Sequence, residues 1–567
     1  MPDSIPAHSL DKLGTFGKLL HFLRIRAGLT QIELSIAVGC SDAQISRLEQ
    51  DRRLPNVAAV EARFVPALCL RREPAARDRL LLLAAEALRK KADAMVDAEP
   101  EPTPAEPTRS IAVMPFKNLT ADSDNEYFCE GLAEELLNAL AKIRRLFVVA
   151  RASAFSFKGK ELDAREIGQR LRVDTILEGS VKKSGPRLRI SVELINAANG
   201  YQMWSKRFER QMTDLFELQD EITLAIISEL KVELLETDKQ KLLRSHSTDL
   251  QAYNLYLKGR FYWAQRPQGI SKAIEFFQLA IDRDPRSALA RAGLADCYAT
   301  LGSWENGTLP PIQAMAKART AANKAVELDG RLAEPHATLA YRATHHDWDW
   351  RTAETQFQRA LELDPNYAVT HHWYSHYLTA MGRTEESLAA SKRCLEIDPL
   401  DHVSNIHMAW HYQFSRQYDE AIDQCHTTND MHPNSFWLPY FFAMAHQQQH
   451  KIGEAVAEYK KSVQMSGGVT FTTAGLGHLY ASNGDRSRGR AIYDELVARS
   501  KAAYVPAYDV ALVCVGMGWT DQAFDWLGKA LDERSGWLTY LNVEPRLDTV
   551  RGDPRFDELL RRVRLRP

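Results

Sequence analysis

Three dipeptides, Asp364-Pro365, Asp398-Pro399 and His432-Pro433, stand 34 residues apart, and that spacing constrains what half of the chain can fold into. Asp284-Pro285 precedes them, and Asp329-Gly330 fills the same slot. A small residue recurs at the same interval, at Ala353, Ser387, Ala421 and Ala455. Proline lacks the N–H that continues a helix, so each mark closes one. The small residue lets neighbouring helices approach. A unit of ~34 residues is a helix–turn–helix pair that cannot bury its apolar face alone, so such units must stack into a solenoid. The pattern predicts about seven or eight units over residues 250–540. An insertion near SWENGTLPPIQ (303–313) stretches the second unit.

This grammar resembles the tetratricopeptide repeat family. The resemblance implies that the first helix of each unit lines a groove. Counting back from the Pro marks places Arg342, His345, His372, His376, Trp410, Trp437, Tyr440 and Met444 near that surface. Aromatics, Met and Arg are favoured where proteins bind one another, so a protein or peptide partner is expected there. The competing expectation is that several of them pack between helices. His372 and His376 are spaced i,i+4, and His407 and His411 repeat the spacing. The glutamate of HExxH is absent and no third ligand is fixed, so neither a metal nor another cofactor is expected. WLTYLNVEPRLDTVRGDPRFDELLRRVRL (537–565) resembles the segment that follows such repeats. It predicts a C-terminal cap over 541–567, with a last helix opening at Asp553-Pro554 and covering the solenoid end.

The amino-terminal region reads differently. Residues 1–92 hold 15 Lys+Arg against 10 Asp+Glu, a balance of +5 that leaves −7 to the remainder. A basic head on an acidic body suits contact with nucleic acid. Phe16, Leu19, Leu20 and Leu23 give a first helix an apolar face. Thr30 caps a second, with Glu33 completing a capping box. Leu34 and Val38 point inward, Gly39 marks the turn, and Ser41 caps a third helix anchored by Ile45 and Leu48. Two short helices joined by a tight turn, with Asp42, Ala43, Ser46 and Arg47 outward, make a helix-turn-helix. Residues 13–70 resemble the Cro/repressor (XRE) family. That resemblance implies a phosphate contact from Gln31 and base-edge positions at Asp42, Ala43, Ser46 and Arg47, with Ser41 and Gln44 beside them. It also implies backbone contacts from Arg52 and Arg53. Arg47 can pair with guanine and is the principal candidate base reader. Ser35 departs from the alanine usual in that family.

Residues 13–91 are expected to form this domain, and 92–108, rich in Pro and acid, a linker that cannot bury a core. Residues 109–236 alternate strand and helix patterns. SIAVMPF opens with a buried strand, 127–143 is helical, LFVVARASAFSF (146–157) is strand-like, and 174–182 and 187–196 form a hairpin around Ser184-Gly185-Pro186. Glu130, Glu134 and Glu135 read as a solvated acidic face. IAVMPFKNLTADSDNEYFCEGLAEELLNAL (111–140) and DTILEGSVKKSG (174–185) resemble the TolB amino-terminal-like domain of bacterial multidomain regulators, which implies a coupling role without chemistry.

The chain is therefore expected to be multidomain and mainly α: an all-α helix-turn-helix head, a small α/β middle domain and an α-solenoid of tetratricopeptide repeats. The expected function is a sequence-specific DNA-binding transcription regulator in which the α/β and repeat regions receive a signal through protein or peptide binding. Double-stranded DNA is the expected partner of the head. A homodimer is the usual way a single small module gains affinity, though no residue fixes it. The alternative is a protein-interaction scaffold with a vestigial head. No phosphate loop, serine elbow or metalloprotease motif points to an enzyme. The 7 cysteines stand singly without CxxC, and the longest apolar run near the amino terminus, Leu80 to Ala85, is far shorter than the ~20 residues of a bilayer span, so no membrane partner and a cytoplasmic location are expected.

Overall fold

The computed structural model describes residues 14–38, 42–51, 57, 60–70, 73–96, 109–120, 125–143, 145–160, 162–232, 249–265, 268–303 and 310–566, with the backbone alone for 42–44 and 88–96. Two compact units divide the chain between Pro107 and Thr108.

The first unit is helical: α1 (Phe16–Arg26), α2 (Gln31–Val38), α3 (Asp42–Glu49) and α4 (Pro74–Val96). The apolar faces read from sequence meet in one core, where Phe16, Leu19, Leu20 and Leu23 pack with Leu34, Val38, Ile45 and Leu48. Leu80, Leu83 and Ala84 of α4 close it. The capping box at α2 forms in full. Thr30 Oγ1 accepts from the Glu33 N–H at 3.1 Å, and the Glu33 carboxylate accepts from the Thr30 N–H at 2.7 Å.

The second unit begins with a mixed sheet. Its strands are β1 (Arg109–Val113), β2 (Lys117–Asn118), β3 (Leu146–Val148), β4 (Thr175–Ser184), β5 (Arg187–Asn196) and β6 (Gln202–Gln211). They run in the order β3-β1-β4-β5-β6, with β2 also on β4. β1 is parallel to β3 and β4, whereas β4, β5 and β6 form an antiparallel meander. Helices α5 (Glu126–Ala141), α6 (Arg151–Phe155), α7 (Ala164–Leu171) and α8 (Leu215–Glu229) cover the sheet. The strand expected over 146–157 stops at Val148 and turns into α6. The Ala-rich run Ala150–Ala154 favours a helical turn. The Ala150 N–H leaves the sheet to donate to the Ile397 carbonyl at 2.8 Å.

Eight helix pairs follow among the described residues: α9 (Leu250–Ala264) with α10 (Ile270–Arg283), α11 (Ala288–Leu301) with α12 (Pro311–Leu328), α13 (Ala333–Arg342) with α14 (Trp350–Leu363), α15 (Ala368–Ala380) with α16 (Thr384–Ile397), α17 (His402–Phe414) with α18 (Tyr418–Met431), α19 (Trp437–Gln448) with α20 (Ile452–Ser466), α21 (Thr470–Ser482) with α22 (Arg486–Arg499), and α23 (Ala507–Met517) with α24 (Thr520–Asp532). Asp284, Asp329, Asp364, Asp398 and His432 each fall at the C-cap of a second helix. The small residues Ala353, Ser387, Ala421 and Ala455 are buried where pairs stack.

The α/β layer and the solenoid are joined by buried polar contacts. The acidic face expected to be solvated is turned inward instead. Glu134 lies between two guanidinium groups, 3.0 Å from Arg151 of α6 and 2.5 Å from Arg260 of α9. Glu130 takes Arg151 and Lys158 at 2.8 and 2.7 Å, and the Tyr256 hydroxyl reaches Glu135 at 3.4 Å. Burial alone would raise the Glu134 carboxyl, but Arg260 and Arg151 hold it below the usual range. Gly131 allows this approach, because a Cβ there would meet the Leu257 side chain at 2.8 Å. A second clasp lies further along. Asp398 accepts from both the N–H and the hydroxyl of Ser153, and Ser153 Oγ accepts from the Leu400 N–H at 2.8 Å.

Removing one partner of a buried ion pair strands the other charge at a cost of about 3–5 kcal/mol. Glu134→Gln is expected to lower the denaturation midpoint of the second unit by roughly that much, read by urea titration. Glu166→Gln, whose ion pair with Arg170 is exposed, is expected to cost less than about 1 kcal/mol.

Candidate functional site

Three helices of the head converge on one carboxylate. The side chain of Glu49, the last residue of α3, is enclosed; it accepts from Arg24 Nη2 at 3.0 Å and Gln31 Nε2 at 2.8 Å, and it pairs with His21 Nδ1 at 2.9 Å. Arg24 Nε makes a further contact to the same carboxylate. Burial works against its charge, yet the Arg24, His21 and Gln31 hydrogen bonds hold its pKa below the ordinary glutamate value. α1 and α3 touch so closely that a Cβ on Gly17 would lie 2.5 Å from the carbonyls of Leu48 and Glu49. The Gly17 N–H donates to Asp51 at 2.7 Å, closing the start of α1 against the end of α3. Arg26 pairs with Glu73 and ties α1 to the segment before α4. These bonds fix the angle at which α3 is presented.

The expected DNA-contact residues separate into four groups. Ser46 and Arg47 lie on α3, both half-buried, and Ser46 Oγ accepts from Gln50 at 3.2 Å. Gln31 stands at the start of α2 with an amide hydrogen committed to Glu49, so its side chain is oriented from within. Asp42, Ala43 and Gln44 lie on the described backbone of α3, while Ser41, Arg52, Arg53 and the turn residue Gly39 fall outside the described residues. Ser35, the departure from family alanine, is buried and donates its hydroxyl to the Ile32 carbonyl at 2.7 Å. Sequence reading missed Glu49, Arg24, Gly17 and Asp51. The charged pair carried a signal, since Arg24 sits among the apolar positions of α1 and Glu49 directly follows Leu48.

The repeat surface brings its expected residues together, with one correction. They do not face open solvent. His345, His376, Trp410, Tyr440 and Met444 are almost fully buried, Arg342 is buried, and His372 and Trp437 are half-buried. For His345, His376, Trp410 and Tyr440 the cover is the end of the same chain. Residues 536–566 form two 3₁₀ turns, Gly536–Tyr540 and Pro545–Val550, and a last helix, α25 (Pro554–Arg562). Tyr540 packs edge-on to Trp410 and stacks on Phe414, and its hydroxyl meets His345 Nε2 at 2.8 Å and His376 Nδ1 at 2.9 Å. Arg546 makes a bidentate pair with Glu544 and donates to the Tyr440 hydroxyl at 2.9 Å, all buried. Trp350 Nε1 donates to the Val563 carbonyl at 3.1 Å. Of the segment expected to cap the solenoid end, the stretch before Asp553 instead lies along first helices of successive units, while α25 opens at Asp553-Pro554 as expected and packs on α24, the second helix of the last unit. The apolar residues of that stretch, Trp537, Leu541 and Leu547, explain its course, since they need a long apolar bed.

Arg342 adds an internal role. It pairs with Asp347 in the turn after α13 and donates to the Met315 carbonyl at 3.1 Å, stitching the second unit to the third. Trp437 stacks on Phe471 of the next unit. Both residues work between helices.

Three family models match the chain. Residues 15–73 match a helix-turn-helix domain, residues 107–225 the second domain of HilA/YgeH-like transcriptional regulators, and residues 368–399 a tetratricopeptide repeat. For the middle domain this regulator family stands where the sequence resemblance points to a TolB amino-terminal-like one. The chain thus joins a helix-turn-helix, a regulator domain of the HilA/YgeH type and tetratricopeptide repeats. A putative adenylate cyclase 3 of Rhizobium meliloti (strain 1021) is 34% identical over 249 residues, covering 43% of this chain and 42% of the relative. The chain therefore spans about two fifths of that relative's length. Among solved structures, PilF of Pseudomonas aeruginosa is 18% identical, covering 38% of this chain and 95% of its own, with a TM-score of 0.29. YrrB, a tetratricopeptide protein with an unusual peptide-binding site, is 15% identical, covering 33% and 91%, with a TM-score of 0.25. The human IFIT1 dimer with PPP-AAAA is 13% identical, covering 56% and 88%, with a TM-score of 0.36.

Where the closing segment meets the last unit, Asp509 of α23 is buried near Arg546, Glu533 and Arg499, and its carboxyl is pushed up to about 7, mainly by burial. A folded value above the ordinary one means that its stability contribution is complete below pH ~4 and is lost as pH rises through ~7. Asp509→Asn is expected to melt higher than the parent chain at pH 8, by on the order of 3 kcal/mol, with the gap closing toward pH 4. Thermal melts across that range, followed by circular dichroism, check both the sign and the window.

Proposed function

We propose that the chain is a sequence-specific DNA-binding transcription regulator whose α/β and repeat regions receive a signal through a protein or peptide. The observation that carries this reading is the braced head. Glu49, Arg24, Gln31 and Gly17 set α3 rigidly against α1 and α2, and Ser46 and Arg47 belong to the one helix those bonds orient. A recognition helix needs such fixing, because base edges are read within hydrogen-bond geometry. The matches of residues 15–73 and 107–225 support a regulator's role. The cyclase named in the relative is a property of that protein, and two fifths of its length is too little to carry it over.

Dimerisation of the head is part of the reading. Phe22 and Ile25 of α1 and Ile32 and Ile36 of α2 are exposed, with Ile36 at 75%. Apolar side chains this open on a basic module mark a contact surface, and two heads on one duplex read two half-sites.

For the repeat region, the closing segment 536–566 supplies the logic. It occupies the first-helix surface as a peptide partner would, with Tyr540 and Arg546 as its aromatic and cationic anchors. A partner with comparable anchors acts by competing for that bed, and the exchange shifts a population between two states.

Two measurements test this reading. With a duplex selected from a random library, the full chain is expected to bind with a steep salt dependence in fluorescence anisotropy. Arg47→Ala is expected to weaken that duplex about 10- to 100-fold while leaving non-specific binding in place. Salt-insensitive or absent duplex binding would falsify the DNA-binding reading. For the repeat surface, a chain ending at Ser535 is expected to bind a synthetic peptide of residues 536–566 in trans. Tyr540→Ala or Arg546→Ala in the peptide should weaken binding at least about 30-fold, the scale of an interface hot spot. Equal binding of all three peptides would rule out anchored recognition.

A further inference from the structure

Beneath Tyr540, three imidazoles from two repeat units face one another. His372 and His376 stand one turn apart on α15, and His407 comes from α17. His376 Nε2 lies 3.3 Å from His372 Nε2 and 3.0 Å from His407 Nδ1, and the last two are 3.0 Å apart. The ring centres are further apart, at 4.8, 4.9 and 4.8 Å. Nitrogens closer together than their rings mean that all three rings turn a nitrogen toward one point. The third donor missing from the sequence reading is therefore supplied by the neighbouring unit, 35 residues after His372, one more than the repeat period.

The protonation pattern is set from outside the cluster. The Tyr341 carbonyl can only accept, so His345 Nδ1, 3.1 Å away, carries a proton. His345 is enclosed, and a neutral ring with its proton on Nδ1 accepts at Nε2. The Tyr540 hydroxyl must then donate to His345 Nε2, and its oxygen accepts from His376 Nδ1–H. With its Nδ1 proton committed to Tyr540, His376 turns the lone pair of Nε2 toward His372 and His407. A cation with imidazole affinity at the point the three rings face would be met by all three nitrogens at once.

We propose that His372 Nε2, His376 Nε2 and His407 Nδ1 form a binding site for one borderline transition-metal ion of the Zn2+ class. Nitrogens at Zn–N distances of 2.0–2.1 Å on a tetrahedron are about 3.3–3.4 Å apart, close to the spacing found. An all-imidazole set selects Zn2+, Cu2+, Ni2+ or Co2+ over the oxygen-seeking Ca2+ and Mg2+. The Tyr540–His376 bond is the outer-shell contact that orients a ligating histidine. His372 is half-buried, which gives the ion a path in and leaves the fourth position to water.

The test uses the full chain, stripped with chelator and titrated with ZnCl2 in a calorimeter and with CoCl2 in a spectrophotometer. The expected result is one equivalent of Zn2+ and visible Co2+ bands of four-coordinate intensity. His372→Gln and His407→Gln should each weaken Zn2+ at least 100-fold, and Tyr540→Phe 10- to 100-fold. His432→Gln, which alters the separate His402–His432 ring pair at a repeat end, should leave the titration unchanged. Circular dichroism of the chelated variants identifies any that fail to fold, and half-buried His372 gives the substitution least disruptive to packing. Absence of stoichiometric uptake by the parent chain overturns the site. So does uptake that survives in folded His372→Gln and His407→Gln, or that is lost only with His432→Gln.

Discussion

A solenoid built from ~34-residue pairs leaves its first-helix faces looking inward, and in this chain those faces are too apolar and aromatic to meet water. Trp410, Tyr440, Phe441 and Met444 form a continuous bed over consecutive units. Covering that bed organises the second unit. Tyr540, Leu541, Leu547 and Phe556 supply the cover from one side, and buried polar pairs keep it in register. The Glu544–Arg546 pair is worth little as attraction alone, since two desolvated charges roughly offset their gain. Its bidentate geometry under the Tyr440 hydroxyl fixes which part of the segment sits where.

The head solves the same problem on a smaller scale. Its core is a small cluster of aliphatic side chains with Phe16 and Phe64, and packing is not the only thing that sets the angle between helices. A buried carboxylate with donors from α1 and α2 sets it as well.

Much of this architecture was legible in the chain. The Pro marks at 365, 399 and 433 and the small residues at 353, 387, 421 and 455 announce helix pairs, because a period that long has few physical explanations. Thr30 and Glu33 announce the start of α2 for a similarly local reason. What could not be read is whatever depends on surfaces meeting far apart in sequence. Glu130, Glu134 and Glu135 look solvated until Arg151 and Arg260 arrive from elsewhere. The aromatic groove residues look open until a segment more than a hundred residues downstream lies over them. The histidine pair on α15 looks incomplete because its third member belongs to another helix. Period, composition and capping are local quantities, and they carry no information about which distant strip will cover an exposed face.

The two attachments of the α/β layer fall on repeat units that are not neighbours. Arg260 holds it at the first unit, whereas Asn366, Asp398 and Leu400 hold it at the ends of the third and fourth. A stack of helix pairs is ordinarily an elastic spring, free to change pitch by small rotations at every interface. A rigid sheet pinned at both ends of a four-unit span acts as a strut across that spring. Bending between the first and fourth units therefore requires breaking the Glu134 or the Ser153–Asp398 contacts, while the later units keep their natural compliance.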